Sequence, residues 1–314
     1  MNSIGNSTFI SIVIPVYNAE DTIEELVDRI LEELKHDQYF EIVLVNDGST
    51  DASEEVCINS YNKNRKEVKF LSLSRNFGEH NAVMAGLNHV SGDYVVIMDD
   101  DFQNPVSEVT KLIVFAVEND YDVVYTYYER KKHSFFRNMG SWFNDKIANV
   151  MLKKPKNLYL SSFKIMSSFI VTEIIKYDLP FPYIDGLILR ITDNIGRIKV
   201  KHSKRVQGES GYTFRKLIAV WLNMFTNFSI LPLRISITIG FIFAIFGFSF
   251  GVQIVYEKLV INPDLPIGYA SIIVIVSIFA GIQLIAIGML GEYLGRIFLS
   301  QNKKPQFTIK KRLL

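Results

Sequence analysis

The chain has 314 residues, with 34 Lys and Arg against 33 Asp and Glu and a formal net charge of +1. This balance argues against a nucleic acid as its partner. The single cysteine, Cys57, excludes an internal disulfide framework and a CxxC metal or redox site. Hydrophobic residues make up 48% of the chain and the mean hydropathy is +0.16, so membrane segments are expected beside any globular domain.

Residues 1–211 alternate between apolar runs that predict buried strands and segments with a helical repeat of apolar residues. The first helix shows this repeat most clearly, and Asp21 precedes it as a candidate N-cap. The alternation indicates an α/β, Rossmann-like domain with a mostly parallel sheet. The predicted strands are 9–16, 41–46, 68–73, 94–98 and 122–126, and the predicted helices are 23–34, 52–61 and 79–90.

Polar residues follow four of the predicted strands at the points where the strands end. Because the carboxyl ends of parallel strands meet at one edge of a sheet, we expect a binding site there. The chain contains neither GxGxxG nor GxxxxGK[ST], which argues against a dinucleotide-binding domain and a P-loop nucleotidase. The polar residues are Tyr17 with Asn18, Asn46 with Asp47, Arg75 with Asn76, and Asp99 with Asp100 and Asp101.

The most informative motif is Asp99-Asp100-Asp101, which directly follows an apolar strand and precedes Gln103. In an extended segment Asp99 and Asp101 point the same way, and Asp100 points the other way. Adjacent carboxylates repel one another unless a cation binds. Two carboxylates with the Gln103 carbonyl form an oxygen set suited to Mg²⁺ or Mn²⁺. A solvated acidic turn at the end of a strand is the alternative interpretation.

Two long segments near the C-terminus, 235–256 and 265–291, contain no charged residue. As helices they would be about 33 and 40 Å long, enough to cross a hydrocarbon core of roughly 30 Å. After Glu292, every charged residue of the tail is Lys or Arg. The positive-inside rule therefore places both termini in the cytoplasm. Two buried core helices are the alternative interpretation.

These patterns divide the chain into four parts. We predict a cytoplasmic globular domain at 1–211, an amphipathic juxtamembrane helix at 212–232, two transmembrane helices with a short external loop at 233–292, and a basic cytoplasmic tail at 293–314. The N-terminal residues lack the regions of a signal peptide, so we expect a multi-pass protein of the cytoplasmic (inner) membrane. A strand-like alternation at 305–311 is compatible with a homo-oligomer whose tails pair between subunits.

Short motifs run along nearly the whole chain. They are Ile14-Pro-Val-Tyr-Asn18, Val45-Asn-Asp-Gly-Ser-Thr-Asp51, Arg75-Asn-Phe-Gly78, Ala85-Gly86, Gly92-Asp93, Asp99-Asp-Asp-Phe-Gln-Asn-Pro105, Arg205 with Gly208-Glu-Ser210 and Tyr212, and Gly291-Glu-Tyr-Leu-Gly-Arg296. In this order they resemble the family 2 glycosyltransferases. Within that family they resemble the polyprenyl-phosphate group, which contains dolichyl-phosphate mannose synthase, the bactoprenol glucosyltransferases and the undecaprenyl-phosphate aminoarabinose transferase.

The resemblance implies a GT-A fold and an inverting transfer of a sugar from a nucleotide sugar, UDP-linked, to a polyprenyl (undecaprenyl) phosphate. The product would serve a cell-envelope glycan or lipopolysaccharide modification. The QxxRW motif of processive synthases is absent, which indicates transfer of one sugar. Two other classes stay open: a membrane-anchored glycosyltransferase with a saccharide or protein acceptor, and an inactive GT-A membrane scaffold.

The resemblance assigns the nucleotide sugar to the four strand ends. Pro15 and Tyr17 would line the nucleobase pocket, and Asp47 would accept hydrogen bonds from the base, although a carboxylate there can also cap the next helix. Arg75 would contact the donor, unless it forms a structural ion pair. Asp99 and Asp100 would also belong to the donor site, and Asp100, where a small residue is common, would face ribose or solvent.

The resemblance also implies that Asp99, Asp101 and Gln103 hold Mg²⁺ or Mn²⁺ on the donor diphosphate. Metal and phosphate would stabilise the leaving nucleotide as negative charge develops, which makes Asp101 a catalytic residue.

The acceptor phosphate needs cations, because it must lie near a second anion. Arg137, in Ser134-Phe-Phe-Arg137, and Arg205 match acceptor segments of the family and are assigned catalytic and acceptor-binding roles. Lys131 and Ser210 complete the predicted acceptor site, although Lys131 also fits an ordinary solvated basic run.

The chain departs from the family at several positions, and one of them is a whole segment. Many members carry Asp-x-Gly-Asp-Phe-Arg where this chain has Tyr159-Leu-Ser-Ser-Phe-Lys164. The change indicates a donor other than UDP-glucose or GDP-mannose, and it removes the acids expected of a general base. A phosphate monoester has a second pKa near 6, so the acceptor oxygen is already largely deprotonated at pH 7.

Overall fold

The computed structural model describes residues 8–35, 39–128, 158–180, 182–201, 231–261, 268–301 and 305–314. The chain forms two compact units. The first comprises Met1–Tyr212 together with Lys304–Leu314, and the second comprises Thr213–Lys303.

Strands and helices alternate through the first unit, as the sequence predicts. The strands are β1 (Phe9–Val16), β2 (Tyr39–Asn46), β3 (Val68–Leu73), β4 (Tyr94–Ile97), β5 (Val123–Tyr127), β6 (Lys164–Ser167), β7 (Ile195–Lys199) and β8 (Ile309–Leu313). The helices are α1 (Ile23–Leu34), α2 (Ser53–Lys63), α3 (Glu79–Leu87), α4 (Ser107–Glu118), α5 (Ser168–Ile174) and α6 (Ile184–Ile191). The second unit contains α7 (Leu231–Tyr256), a π-helical turn (Glu257–Ile261) and α8 (Tyr269–Gln301).

The eight strands form one sheet in the order β7-β5-β6-β4-β1-β2-β3-β8. Its centre is parallel, since β1 pairs with β4 and β2, and β2 pairs with β3, all in the same direction. β6 and β8 run antiparallel to their neighbours. The predicted α/β domain with a mostly parallel sheet is therefore confirmed, and the carboxyl ends of β4, β1, β2 and β3 lie at one edge.

Helix α1 buries one face against the sheet. Its buried residues recur with helical spacing: Ile23, Leu26, Val27, Ile30 and Leu34. The N-cap is Thr22, one residue after the predicted Asp21, and no side chain forms a capping hydrogen bond there. The predicted cap is therefore wrong, and packing of the apolar face determines where the helix begins.

Helix α3 approaches β1 very closely. A Cβ atom on Gly86 would lie 2.4 Å from Cγ1 of Val13, so a glycine is required at the contact. The helix ends at Leu87, earlier than predicted. Its last carbonyls find side-chain partners instead, since Asn88 Nδ2 donates to the Met84 carbonyl oxygen at 2.8 Å.

Helices α7 and α8 are apolar around their described surfaces. The segment Ile278–Gly295 of α8 is long and apolar enough to cross a membrane, and none of it is buried. In α7 the corresponding apolar segment, Ile237–Gln253, is shorter. The two helices contact each other where Gly247 faces Phe279. The exposure of both helices does not fit the alternative of two buried core helices.

The C-terminal tail returns to the first unit. β8 pairs antiparallel with β3 of the same chain, with Phe70 opposite Leu313. The Nε2 atom of Gln306 donates to the carbonyl oxygens of Tyr177 and Leu179 at 2.7 and 2.8 Å. The strand-like alternation at 305–311 was compatible with pairing between subunits. In the structure the tail instead covers an edge of its own sheet, because β3 offers an unpaired edge within the same chain.

Candidate active site

The parallel strands bring four loops to one edge of the sheet. The loop after β1 carries Tyr17, the loop after β2 carries Asp47, the loop after β3 carries Arg75, and the loop after β4 carries Asp99–Asp101. These residues come from distant parts of the sequence, and the sheet order β4-β1-β2-β3 makes their loops neighbours.

Hydrogen bonds join these loops in series. The backbone N–H of Tyr17 donates to Oδ2 of Asp100 at 3.2 Å and ties the β1 loop to the acidic loop. The backbone N–H of Asn18 donates to Ser49 Oγ at 3.0 Å, and Thr50 N–H donates to Asn18 Oδ1 at 2.8 Å. Asn18 itself has a φ of 52°. The edge is therefore a connected scaffold, which limits how far each loop can move alone.

Asp47 is buried and joins the β2 and β3 loops. Its Oδ1 accepts from Phe77 N–H at 2.7 Å and its Oδ2 accepts from Gly78 N–H at 2.8 Å. Burial raises the pKa of this carboxyl, and the two hydrogen bonds oppose the shift. Gly48 follows at a φ of 65°, and a Cβ there would lie 2.4 Å from the Arg75 backbone. Asp47 thus holds the two loops together, and recognition of a base by Asp47 stays a prediction.

Three more of the predicted nucleotide-binding residues lie at the same edge. Pro15 is half-buried in β1, and Tyr17 is 48% exposed beside it. The Arg75 guanidinium lies 4.8 Å from the centroid of the Phe77 ring. In the part of the chain that the structure describes, Arg75 forms this cation–π contact and no ion pair. It is therefore stacked and exposed.

The three acidic residues point to different partners. Asp99 Oδ2 accepts a hydrogen bond from Ser162 Oγ at 2.5 Å, and Asp101 Oδ1 accepts from Gln103 N–H at 3.0 Å. Asp100 is half-buried and faces the β1 loop through Tyr17 N–H. It was expected to face ribose or solvent, and the structure directs it to backbone instead. The predicted opposition of Asp99 and Asp100 fits this arrangement.

The acidic loop carries unfavourable charge and an unusual backbone. Burial, together with the charges of Asp99 and Asp101, raises the pKa of Asp100 to about 7. Phe102 has a φ of 58°, a left-handed conformation that is rare for a large side chain. Its ring lies under the Arg29 guanidinium at 4.9 Å, which anchors the loop to α1. A bound cation would offset the repulsion among the carboxylates.

The residues of the acidic loop fit a divalent cation that the protein holds with only part of its ligands. Among the described residues, no group of three or more His, Cys, Asp or Glu converges as a closed metal site. Asp99, Asp101 and Gln103 nevertheless supply hard oxygen ligands at one loop. Mg²⁺ is commonly held by one or two carboxylates, with substrate phosphates and water completing the shell. The loop fits a cation shared with a bound diphosphate.

A buried ion pair lies next to the acidic loop and was missed by the sequence analysis. Lys164 Nζ donates to Asp185 Oδ1, and the Tyr125 hydroxyl donates to the same oxygen at 2.8 Å. Both members of the pair are buried. The available signal was a charged residue within an otherwise apolar strand and another at the start of an apolar helix. Each partner lay in a different element, so the pairing was not evident.

Two ionisable residues at the start of α3 were also missed. Burial, together with the charge of Asp99, raises the pKa of Glu79 to about 7. Burial lowers the pKa of His80, whose ring packs edge-on against Tyr183 at 5.3 Å. Both side chains line a pocket of about 100 Å³, with Ser162, Lys164 and Asp185 on its other walls.

The predicted acceptor residues cannot be placed. Lys131, Arg137, Arg205 and Ser210 lie outside the described residues, as does most of the predicted juxtamembrane helix at 212–232. Their roles stay predictions.

A sheet with a parallel centre and an aspartate-rich loop at the carboxyl end of its fourth strand defines a GT-A glycosyltransferase domain. The sequence profile of Glycosyl transferase family 2 matches residues 11–174, and the chain belongs to this family. The protein is a glycosyltransferase, as the sequence motifs predicted.

Curated relatives match nearly the whole chain. Two proteins named undecaprenyl-phosphate 4-deoxy-4-formamido-L-arabinose transferase are each 33% identical to it. The one from Edwardsiella ictaluri (strain 93-146) aligns over 99% of this chain and 96% of its own length. The one from Proteus mirabilis (strain HI4320) aligns over 96% of this chain and 93% of its own length. The similarity therefore extends through α7, α8 and the tail.

Solved structures share the fold. Glucosyl-3-phosphoglycerate synthase from Mycobacterium tuberculosis in complex with UDP superposes with a TM-score of 0.52 at 21% identity, covering 69% of this chain and 79% of the other. The same enzyme with Mn²⁺ and UDP-glucose gives a TM-score of 0.50 at 23% identity, over 69% and 79%. At these identities the comparison supports the GT-A fold alone.

Proposed function

We propose that this glycosyltransferase moves a single sugar from a nucleotide sugar, UDP-linked, to a polyprenyl phosphate of the undecaprenyl type. The observation that carries the proposal is the similarity over 99% of the chain to a transferase named for undecaprenyl phosphate. That similarity covers the acidic loop and both apolar helices. The product would enter a cell-envelope glycan or a lipopolysaccharide modification.

Donor binding would use the carboxyl edge of the sheet. Pro15, Tyr17, Asp47, Arg75 and Asp100 would contact the nucleotide sugar. The metal, Mg²⁺ or Mn²⁺, would be held by Asp99, Asp101 and Gln103, and it would stabilise the negative charge that develops on the departing diphosphate. A mycobacterial enzyme of the same fold was crystallised with Mn²⁺ and UDP-glucose, the combination of metal and nucleotide sugar that is proposed for this chain.

The reaction would be a direct displacement. An oxygen of the lipid phosphate attacks the anomeric carbon from the face opposite the diphosphate. A new carbon–oxygen bond forms while the bond to the nucleoside diphosphate breaks, and the configuration inverts. The attacking oxygen needs no base when the acceptor is already a dianion, given a second phosphate pKa near 6. This agrees with Ser162, rather than an acid, facing Asp99.

Positioning would then supply most of the rate. The cations Arg137 and Arg205 would hold the acceptor phosphate against the negatively charged donor, with Lys131 and Ser210 beside them. Guanidinium groups suit this task because their planar donors match phosphate oxygens.

The protein would span the cytoplasmic membrane twice, with both termini in the cytoplasm. The C-terminal strand supports this number of crossings. Because β8 pairs with β3, the chain after α8 lies on the same side as the chain before α7. A chain that returns to its starting side crosses an even number of times. Parity therefore favours crossings by both α7 and α8 over a crossing by α8 alone.

Cysteine labelling tests this topology. The native Cys57 is buried, so it contributes little background. In intact cells, a membrane-impermeant maleimide is expected to label Gly268→Cys, between the two helices, and to label Lys311→Cys only after lysis. Labelling of Lys311→Cys in intact cells, or protection of Gly268→Cys until lysis, would contradict two crossings.

The transfer reaction is tested with purified full-length protein, undecaprenyl phosphate and Mn²⁺ or Mg²⁺. A panel of radiolabelled UDP- and GDP-sugars is added with and without EDTA. We expect label in the organic phase with one donor, and loss of that label with EDTA. Release of nucleotide only with a soluble saccharide or protein acceptor would overturn the lipid acceptor.

A further inference from the structure

The pocket beside the acidic loop has no role in the donor and acceptor sets described above. It holds about 100 Å³, room for several water molecules. Four separate segments build it: the first half of α3, the end of β4, the residues before and at the start of β6, and the start of α6. Its polar walls are Glu79, His80, Ser162, Lys164 and Asp185.

The pocket lies on the side of the acidic loop where a donor sugar would extend. Ser162 lines the pocket and also donates to Asp99 at 2.5 Å. The loops assigned to the nucleotide follow β1 and β2, whereas β6 flanks β4 on its other side. A diphosphate held at Asp99 therefore has the nucleotide toward β1. Because the anomeric carbon is bonded to that diphosphate, the sugar faces the pocket.

Most of the pocket's charged groups are already satisfied. Lys164 and Asp185 pair with each other, and the Tyr125 hydroxyl donates to Asp185. Such a pair is costly to open, since either group alone would be a buried charge. Burial lowers the pKa of His80, so this ring is neutral at pH 7. Glu79 remains to meet a ligand, because the Ser162 hydroxyl already donates to Asp99.

Glu79 is suited to contact the sugar. Within the described part of the chain, no group donates a hydrogen bond to its carboxylate. The residue is accessible from the pocket, although the surrounding protein desolvates the carboxylate and raises its pKa. An ionised carboxylate only accepts hydrogen bonds. Above its pKa of about 7 Glu79 is ionised, and Glu79 and Asp185 then outnumber Lys164, so that the pocket carries an excess of negative charge.

We propose that Glu79 is a specificity-determining residue of the donor site: it accepts a hydrogen bond from an N–H or O–H substituent of the sugar, and its charge excludes sugars that bear a carboxylate. The preferred donors are then neutral or amino sugars, and uronic acids are rejected because two carboxylates would face each other in a confined space. This inference rests on the proposed function, since it needs a nucleotide sugar at Asp99.

Isothermal titration calorimetry of the full-length protein, in the presence of Mn²⁺, tests the proposal. The ligands are UDP, UDP-glucose and UDP-glucuronic acid, and the quantity of interest is the ratio of the two sugar-nucleotide dissociation constants. Glu79→Gln keeps an acceptor oxygen but removes the charge. It is expected to reduce the discrimination against UDP-glucuronic acid by about tenfold or more, with the UDP affinity unchanged.

Two further variants distinguish the effect of the Glu79 charge from a general disturbance of helix α3. Glu79→Asp keeps the charge and is expected to retain the discrimination. Glu55→Gln is the matched control, because Glu55 is an exposed acid in the first turn of α2, and it should change neither the ratio nor the UDP affinity. An unchanged ratio in Glu79→Gln would overturn the inference alone. A wild-type protein that binds neither UDP nor the UDP-sugars would overturn the donor assignment as well.

Discussion

Replacement of Asp101 by Asn is expected to lower sugar transfer by about 10²–10³-fold, the usual cost of removing a group that stabilises developing charge. The reason is the loss of one of the two carboxylates that would hold the cation on the donor diphosphate. The amide oxygen of Asn can still accept the hydrogen bond from Gln103 N–H, which is 3.0 Å long in the native protein. The loop should therefore keep its shape while its charge decreases.

The measurement compares initial transfer rates over a range of Mn²⁺ concentrations. A metal ligand is distinguished by a shift of the activating concentration to higher values, which a structural role would not produce. Asp28→Asn serves as the control, because Asp28 is an exposed acid on α1 away from the edge. Full activity of Asp101→Asn with an unchanged metal response would remove Asp101 from the catalytic residues.

Removal of the Asp185 carboxyl by Asp185→Ala is expected to lower the free energy of unfolding by about 3–5 kcal/mol, since it leaves a buried ammonium without its partner. Lys164 and Asp185 are both nearly inaccessible, with side-chain exposures of 5% and 11%. The Tyr125 hydroxyl would also lose its acceptor. A buried donor that is left unsatisfied adds to the cost.

Thermal unfolding can be followed with a thiol-reactive dye, because Cys57 is the single cysteine of the chain and is buried in the native state. Asp193→Ala is the matched control at an exposed aspartate, and it should stay within about 0.5 kcal/mol of the native protein. The double variant Lys164→Met with Asp185→Leu should recover most of the loss, because an apolar pair can replace a buried ion pair. A double variant as unstable as Asp185→Ala would show that the loss of stability comes from packing and not from the unpaired charge.

Local patterns in the sequence were sufficient for the central strands and for the edge of the sheet that carries the acidic loop. β1 is an apolar run interrupted only by Ser11, and Asp99–Asp101 directly follows another apolar run. Both signals lie within a few consecutive residues, because a buried strand must be apolar on both faces and its end must return to water. The resemblance to family 2 rests on motifs of the same local kind, and the family profile confirmed it over residues 11–174.

Contacts between distant residues were beyond such reasoning. The hydrogen bond from Ser162 to Asp99 joins residues 63 positions apart, and the bond from Tyr125 to Asp185 joins residues 60 positions apart. In the sequence, Ser162 was evident only as a position where many family members have an Asp, and Lys164 only as a position where they have an Arg. A single sequence states which side chains are polar but not which of them meet when β6 inserts beside β4.

The tail shows the same division. Its alternating residues indicated a strand, and β8 is a strand. The sequence was compatible with a partner strand in another subunit, whereas the partner is β3 of the same chain. The sequence by itself determined the α/β order, the acidic loop and the apolar segments, because each depends on the chemistry of neighbouring residues. Only the tertiary structure decided the partners of Asp99, Asp185 and the C-terminal strand. Each of those contacts depends on the order of strands in the sheet, which results from packing across the whole domain.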